Sequence, residues 1–445
     1  MRVENYWDGM MNKSYIPTPV FDTLAETIDL YKSIYDADNP RQQIKKYLEH
    51  CFLDLKITLP TFFIRDFEVT LKFLFSYRGS EQTFSSYRRD VERLIQWSWF
   101  IKEESILKLK RDDIEEFVEF CIKPYKKWIG LKTVARFKLD NGLKIPNSEW
   151  RPYEASLDKK KIKDGKVPTK EDYQFSQNAL KALFATVSSF YNFCLQEEVV
   201  SANPVMLIRQ KSKFLRKELI SPVIRRLSEK EWQTVIEITK EKAAKDKKHE
   251  RTVFILSCLY GMYLRISELT AGQRWTPTMG DFFKDQDGNW WFKTVGKGNK
   301  VRQIAVSNDM LKALKHYRTE YLQLPPYPSL DEKTPLIGHD NNPNKPMTDE
   351  RTIRRLVQDC FDNAAEKLEK ENPSEAQNLH MATVHWLRHT GISDDVKTRP
   401  REHVRDDAGH SSGAITDRYI DVELTARAKS AKNKLIGSKK SKKFD

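Results

Sequence analysis

Apolar residues recur at helical spacing through most of the first half of the chain. Within residues 67–100 the stripe Phe84, Tyr87, Val91, Leu94 continues to Ser98, while Arg88, Arg89, Glu92 and Arg93 take the opposite side, which predicts one helix with a basic face. Residues 112–120 put Ile114, Phe117 and Val118 on one face. Residues 178–195 carry Leu180, Leu183, Phe184, Val187, Phe190 and Tyr191, and the pattern stops near Asn203-Pro204. Between these helices residues 131–169 are polar and punctuated by Gly142, Pro146, Pro152, Gly165 and Pro168, and read as an inserted long loop.

After a basic, poorly periodic stretch at 211–226, Ser228 and Glu231 form a capping box with Leu227 and Trp232 placed to staple it, so a second domain begins here. Residues 252–263 are nearly all apolar, as in a buried helix. Two β-rich runs, 290–295 and 302–306, flank Gly296-Lys297-Gly298-Asn299-Lys300, which predicts a hairpin with lysines at its tip. The remainder, including 351–368, 384–393 and 421–436, is helical in pattern. The expected fold is mainly α with a small β-sheet: an N-terminal extension of unassigned role (1–60), a helical domain (61–215) and a mixed α/β domain (226–445). No fixed-period repeat is present, and the chain ends in a lysine-rich run at 437–445.

Composition narrows the partners. Lys and Arg outnumber Asp and Glu by 77 to 63, a formal charge of +14, which fits an anionic partner as well as plain solubility. The five cysteines are widely separated and form no CxxC pair, which speaks against a zinc knuckle or a secreted disulfide scaffold. The first residues lack a basic segment followed by an apolar run, and no uncharged apolar stretch approaches the roughly 18 residues of a membrane span, so a cytoplasmic protein with no membrane partner is expected.

Breaking a phosphodiester without a metal needs a nucleophile, positive charge for the transition state and an acid for the departing oxygen. Arg265 follows the buried helix, and Glu268, three residues on, is placed to orient its guanidinium; a surface ion pair is the plainer alternative. His385 and Arg388 at i, i+3 share one helical face, where a guanidinium fork suits two phosphate oxygens. His385 and His389 also have metal-like i, i+4 spacing, but without the intervening glutamate of a zincin helix, so no metal is assigned. Lys297 at the hairpin tip is either an acid for a leaving oxygen or a solvated turn lysine. Lys300 and Arg302 beside it are phosphate contacts or solvated charges. His410 lies in a Gly-His-Ser-Ser run, and Tyr419 follows; a lone tyrosine of this kind is more often a packing residue.

In chain order, Arg265, Lys297, His385-x-x-Arg388, Gly409-His410 and Tyr419 resemble the active-site set of the tyrosine recombinases, the phage integrase family. The intervals, 22 residues from Arg388 to His410 and nine on to Tyr419, resemble the family's spacing. The resemblance extends from about residue 227 to the end and, more weakly, over 67–204, which is similar to the family's helical core-binding domain. It implies a two-domain DNA clamp, with Arg88 and Arg89 contacting DNA from the helical domain and Lys300 and Arg302 from the catalytic one. It further implies that Arg265 and Arg388 clamp the scissile phosphate, His410 adds a hydrogen bond, Lys297 protonates the 5′ oxygen and His385 assists proton transfer from the nucleophile Tyr419. No cofactor is implied. The implied partners are double-stranded DNA, further copies of the chain (a dimer on a site, a tetramer in the synapse) and accessory DNA-bending proteins, in a nucleoid-associated setting. A tail helix with the stripe Leu424, Ala428, Ala431 and Leu435 would dock on a neighbouring protomer or fold back on its own chain.

The chain departs from the family pattern in a long link at 271–280 and in Pro400, Asp406 and Asp407, which stand where a more apolar helix is usual. Two other functions use similar residues: a type IB topoisomerase, which rejoins the same strand, and a non-cutting DNA-binding accessory protein. Because basic residues displace counterions from phosphates, DNA affinity is expected to fall steeply as salt rises, about 10³-fold or more between 50 and 200 mM if six or more phosphates are contacted. Gel-shift titrations at several salt concentrations check this, and a salt-insensitive complex contradicts a clamp.

Overall fold

The computed structural model describes residues 15–53, 59–157, 161–162, 165–206, 208, 214, 225–272, 275–296, 299–410 and 431–432. The chain divides into two compact units, Met1–Leu219 and Ile220–Asp445. Of the expected helix over 421–436 only residues 431–432, which are helical, are described; the basic end at 437–445 and the candidate residues Lys297 and Tyr419 lie outside the described residues.

The first unit contains helices α1 (Leu24–Tyr35), α2 (Pro40–Cys51), α3 (Thr61–Ser76), α4 (Glu81–Trp97) and α5 (Arg111–Ile122). After strand β1 (Ile129–Gly130) come the antiparallel pair β2 (Phe137–Asp140) and β3 (Leu143–Pro146), then β4 (Tyr153–Glu154), parallel to β1, and helix α6 (Gln177–Gln196). Apolar faces of α3 to α6 meet in one core through Phe67, Phe73, Phe84, Leu94, Phe117, Leu183 and Phe190. Tyr15, Val20, Phe21, Ile34, Ile44 and Leu48 belong to the same core, so residues 15–53 are part of this unit and not a separate extension.

Three expectations are corrected here. The single helix over 67–100 is two helices: α3 ends at Ser76, and Ser80 starts α4 by accepting the Thr83 N–H at 3.4 Å after the Arg78-Gly79 step. The inserted loop contains the β2–β3 hairpin, whose turn residues Asn141 and Gly142 have φ of 48° and 81°, the left-handed pair that an Asn-Gly hairpin turn demands. The basic face of α4 is largely turned inward. Glu92 is buried and accepts the Val20 and Phe21 N–H groups at 2.7 and 3.2 Å while pairing with Arg136. Arg93 donates to the Pro152 carbonyl at 2.9 and 2.7 Å, and Arg88 donates to the Asp22 carbonyl, so of the two expected DNA contacts only Arg89 is an exposed side chain.

The second unit begins with α7 (Glu229–Lys245), where Ser228 and Glu231 cap each other as expected, at 3.1 and 2.7 Å. It continues with α8 (Glu250–Gly261), buried along most of its length, and the short α9 (Ile266–Leu269). A three-stranded antiparallel sheet follows, β5 (Phe282–Lys284), β6 (Trp290–Val295) and β7 (Val301–Ala305), in that order, with the β6–β7 hairpin where the pattern predicts it. Next come α10 (Asn308–His316), the strand pair β8 (Gly338–His339) and β9 (Asn342–Pro346), then α11 (Glu350–Leu368), α12 (Pro373–Met381), α13 (Val384–Asp395) and α14 (Arg401–Ala408). Gly391 lets α13 lie directly on α8: a Cβ there would come within 2.1 Å of the Tyr260 carbonyl oxygen. No helix among the described residues is long and apolar enough to cross a membrane.

Glu92 is the polar tie between the N-terminal segment, α4 and the region of the hairpin. Replacing it by alanine would leave Arg136 Nη2 and two N–H groups without their acceptor, and the expected loss is about 3–5 kcal/mol. Urea unfolding of Glu92→Ala against wild type measures it, and a loss below about 1 kcal/mol would contradict a buried tie.

Candidate active site

Helix α8 ends at Gly261, and the chain reverses through Tyr263, whose φ of 52° is left-handed. That turn delivers Arg265 as the cap of α9. Glu268, one turn on and buried, accepts from the Arg265 backbone N–H at 2.7 Å and from its Nη1 at 3.0 Å, so a single carboxylate fixes both ends of the residue. The Arg265 side chain keeps 31% of its surface exposed.

The same carboxylate takes a second guanidinium. Arg302 of β7 donates Nη1 and Nη2 to the two oxygens of Glu268 at 2.6 and 2.7 Å, and its Nε to the Asp407 carbonyl at 3.0 Å. Only 10% of the Arg302 side chain is exposed. This corrects its reading as a DNA contact or solvated charge. The period-two rule already held the signal, because Arg302 and the core residue Ile304 sit on one face of β7. Burial works to raise the pKa of Glu268, but the bonds and charge of Arg302, with Arg265 behind them, hold it below the usual carboxylate range. Lys300 is exposed beyond this pair, at the turn end of the hairpin. Gly296, next to Lys297, lies against Arg265: a Cβ at 296 would be 3.6 Å from Arg265 Nη1.

From α13 comes Arg388, with 1% of its surface exposed. It donates Nη1 to the Tyr263 carbonyl and Nη2 to the Ala408 carbonyl at 2.5 Å, so backbone from two separate segments sets the plane of its guanidinium. Helix α14 stops at Gly409, whose φ of 65° allows the His410 N–H to reach the Arg405 carbonyl at 3.1 Å. The turn brings His410 Nε2 to 3.4 Å from Arg388 Nη2. A side chain at 409 would strike Arg302, since a Cβ there lies 2.9 Å from Arg302 Cδ.

His385, one turn before Arg388, packs its ring edge-on to His389 with centroids 4.4 Å apart. Burial lowers the pKa of His385, and the charges of Arg388 and Arg265 lower it further. His389 and His410 are pushed down to about 4, each chiefly by burial and then by neighbouring positive groups, which for His410 are Arg388, Arg265 and Arg302. The three imidazoles are therefore neutral near pH 7, and the arginines carry the positive charge of the site. Among the described residues no group of three or more His, Cys, Asp or Glu side chains is arranged to hold a metal ion.

The structure therefore draws together Arg265, Glu268, His385, Arg388 and His410 and adds Arg302 as an internal counter-charge. Arg88 and Arg89 belong to the first unit. Sequence reasoning gave no role to Asp407, whose buried carboxylate accepts the Ala305 N–H at 3.2 Å and an Arg399 N–H at 2.5 Å. The available signal was an acid in a helix where apolar residues were expected.

The model of the phage integrase family matches residues 225–425. Tyrosine recombinase XerC of Chlorobaculum parvum is 25% identical over 257 residues, 54% of this chain and 68% of that protein. Tyrosine recombinase XerC of Listeria welshimeri is 25% identical over 257 residues, 56% of this chain and 72% of that protein. Among solved structures, the XerH site-specific recombinase bound to a palindromic difH substrate, a post-cleavage complex, aligns with a TM-score of 0.48 at 14% identity, covering 92% of this chain and 94% of that one. A lambda integrase dimer bound to a COC′ core site aligns with a TM-score of 0.47 at 12% identity, covering 93% and 88%.

The titration of the site is directly measurable. His389 and His410 have pKa values of about 4 against an ordinary 6.5, so as pH falls the unfolded chain takes up protons before the folded one. Their contribution to stability is complete above about 6.5 and is lost as pH drops toward 4. Imidazole NMR on the DNA-free protein should find both rings still neutral at pH 6. A His410 midpoint near its ordinary value would mean that the ring is solvated and away from Arg388.

Proposed function

Because the chain belongs to the phage integrase family of tyrosine recombinases and is a tyrosine-type site-specific recombinase, we propose that it cuts and rejoins double-stranded DNA through a 3′-phosphotyrosyl intermediate on Tyr419. The observation that carries this reading is the geometry around His410: its Nε2 stands 3.4 Å from Arg388 Nη2, and Arg388 also donates to the carbonyl of Tyr263, two residues before the partly open, Glu268-held Arg265.

Each described residue has a part set by its surroundings. Arg265 is half-exposed, with Glu268 holding one end of its guanidinium, so its remaining donors are available to a phosphate oxygen. Arg388 presents the other side of the clamp from a buried, carbonyl-fixed position. His410, kept neutral, donates a hydrogen bond to a non-bridging oxygen without competing for the phosphate's charge. His385, also neutral, accepts the Tyr419 proton as the phenolate oxygen bonds to phosphorus. Lys297 gives a proton to the departing 5′ oxygen, leaving a 5′ hydroxyl. A 5′ hydroxyl from a partner duplex then attacks the phosphotyrosine, releases Tyr419 and restores a phosphodiester, so the sum of bonds is unchanged and no ATP is required.

In this reading Arg89 and Lys300 contact DNA, the protein works as a dimer on each site and a tetramer in the synapse, and accessory DNA-bending proteins assist. Its setting is the cytoplasm, at the nucleoid, and its biological outcome is integration or excision of a mobile element.

The test is a denaturing gel for covalent protein on nicked suicide duplexes made from DNA flanking the gene. Wild type should yield a slow-migrating adduct, and Tyr419→Phe should bind equally well and yield none. Lys297→Ala should slow cleavage by about 10²–10⁴-fold, with recovery when the leaving oxygen is replaced by sulfur, which needs no acid. An adduct from the phenylalanine variant refutes the nucleophile, and bound duplex that never becomes attached points to an accessory binding protein. Rejoining only within one duplex points to a topoisomerase.

A further inference from the structure

Behind the site lies a polar cluster that the chemistry above does not use. Arg399, in the link between α13 and α14, donates Nη2 to the Asp407 carboxylate at 2.5 Å. Its Nη1 donates to the Tyr263 phenol oxygen at 3.0 Å and to the Asp395 carboxylate at 3.1 Å. The Tyr263 hydroxyl in turn donates to Asp395. Tyr263 is 1% exposed and Asp407 5% exposed, whereas the Arg399 and Asp395 side chains keep 31% and 37% of their surface, so the Tyr263 and Asp407 ends of the cluster are the ones held away from water, where a broken partner is costly.

The position of this cluster is informative. The two carbonyls that orient Arg388 belong to Tyr263 and Ala408, and the carbonyl that receives Arg302 Nε belongs to Asp407. Arg399 grips the side chain of Tyr263 and that of Asp407, the residue before Ala408. The other oxygen of Asp407 holds the Ala305 N–H at the end of β7, the strand that carries Arg302. One guanidinium therefore braces three backbone segments, after α8, at the end of α14 and along β7, whose relative positions set the arginine clamp. Pro400 follows immediately and caps α14, which fixes the direction in which the chain leaves Arg399.

We propose that Arg399 is a positioning residue for the phosphate clamp, acting through Asp407 and Tyr263 to hold the carbonyls that orient Arg388. The proposal rests on the reading of Arg388 as a phosphate ligand only for its effect on activity; its structural half stands by itself. A shift of about 1 Å at a catalytic group can cost on the order of 10²-fold in rate, so loosening this brace should slow cleavage while leaving DNA binding nearly intact.

The test has a readout that does not depend on DNA. In wild type the Arg388 guanidinium, buried and tied to two carbonyls, should give slowly exchanging ¹⁵N–H resonances, assigned by their loss in Arg388→Lys. In Arg399→Met these resonances should broaden or vanish while the remaining amide spectrum is retained. Arg399→Lys keeps one charged contact to Asp407 and should retain them in part, and it serves as the informative variant if Arg399→Met does not fold. On the suicide duplex, adduct formation should fall about 10-fold or more in Arg399→Met and less in Arg399→Lys, with affinity within about twofold. Unchanged Arg388 resonances in a folded Arg399 variant overturn the proposal. Lost resonances in a protein whose wild type forms no adduct leave the brace standing and reject the recombinase mechanism instead.

Discussion

The second unit is organised around one buried carboxylate. Glu268 has 1% of its surface exposed and would be strongly disfavoured as an anion there without partners, yet its pKa stays below the usual range because two guanidinium groups and a backbone N–H converge on it. The arrangement is asymmetric. Arg302 commits its fork and its Nε entirely to the protein, whereas Arg265 gives Glu268 one Nη and keeps an open side. One arginine neutralises the acid so that the other need not. A cationic face therefore survives at the site, fixed to α9 and β7 by the same carboxylate.

Burial is the main reason that the surrounding histidines are neutral, and the surviving positive charge adds to it. Arg388 would repel an imidazolium at His389 or His410, and Arg265 and Arg302 one at His410, so both rings give up the proton. The site is thus pre-charged by guanidinium groups, which do not titrate near neutrality, and its hydrogen-bond donors stay in one state over a wide pH range. In the proposed reaction an incoming phosphate would find donors already oriented, which would leave little reorganisation for the reaction step. The backbone glycines serve the same end. Gly391 brings α13 onto α8 and so sets the depth of Arg388, and Gly409 turns the chain past Arg302 to present His410.

The first unit also gathers segments around buried acids. Glu92 gathers the N-terminal segment and Arg136, and Asp66 accepts from Trp99 Nε1 at 2.9 Å, Ser105 Oγ at 2.6 Å and the Ile106 N–H at 3.0 Å. Burial pushes Asp66 up to about 6 despite these bonds, because these partners are neutral dipoles, and the charge of Glu104 adds to the rise. The contrast with Glu268 is one of partner charge. Glu92 meets the Arg136 guanidinium and Glu268 those of Arg302 and Arg265, whereas the partners of Asp66 are N–H and O–H groups.

Helix positions, the capping box at Ser228 and the β6–β7 hairpin were legible in the sequence because local periodicity encodes them, and the set Arg265, His385, Arg388 and His410 was legible through its resemblance to the tyrosine recombinases. The break between α3 and α4 and the Asn141-Gly142 hairpin were also written locally, and were obscured by a continuous apolar stripe and by polar, proline-rich surroundings. What no local pattern carried was the use of each charge. Arg265 and Arg302 look alike along the chain, and only the approach of β7 to α9 makes one a counter-ion and leaves the other open. Arg88, Arg93 and Glu92 form an ordinary polar helix face until residues 15–22 and the segment before β4 cover it. Asp407 reads as an error in an apolar helix until Arg399 and β7 arrive beside it. The reason is physical: an apolar side chain declares its place by its own transfer free energy, whereas a charge takes its meaning from the partner that folding brings to it.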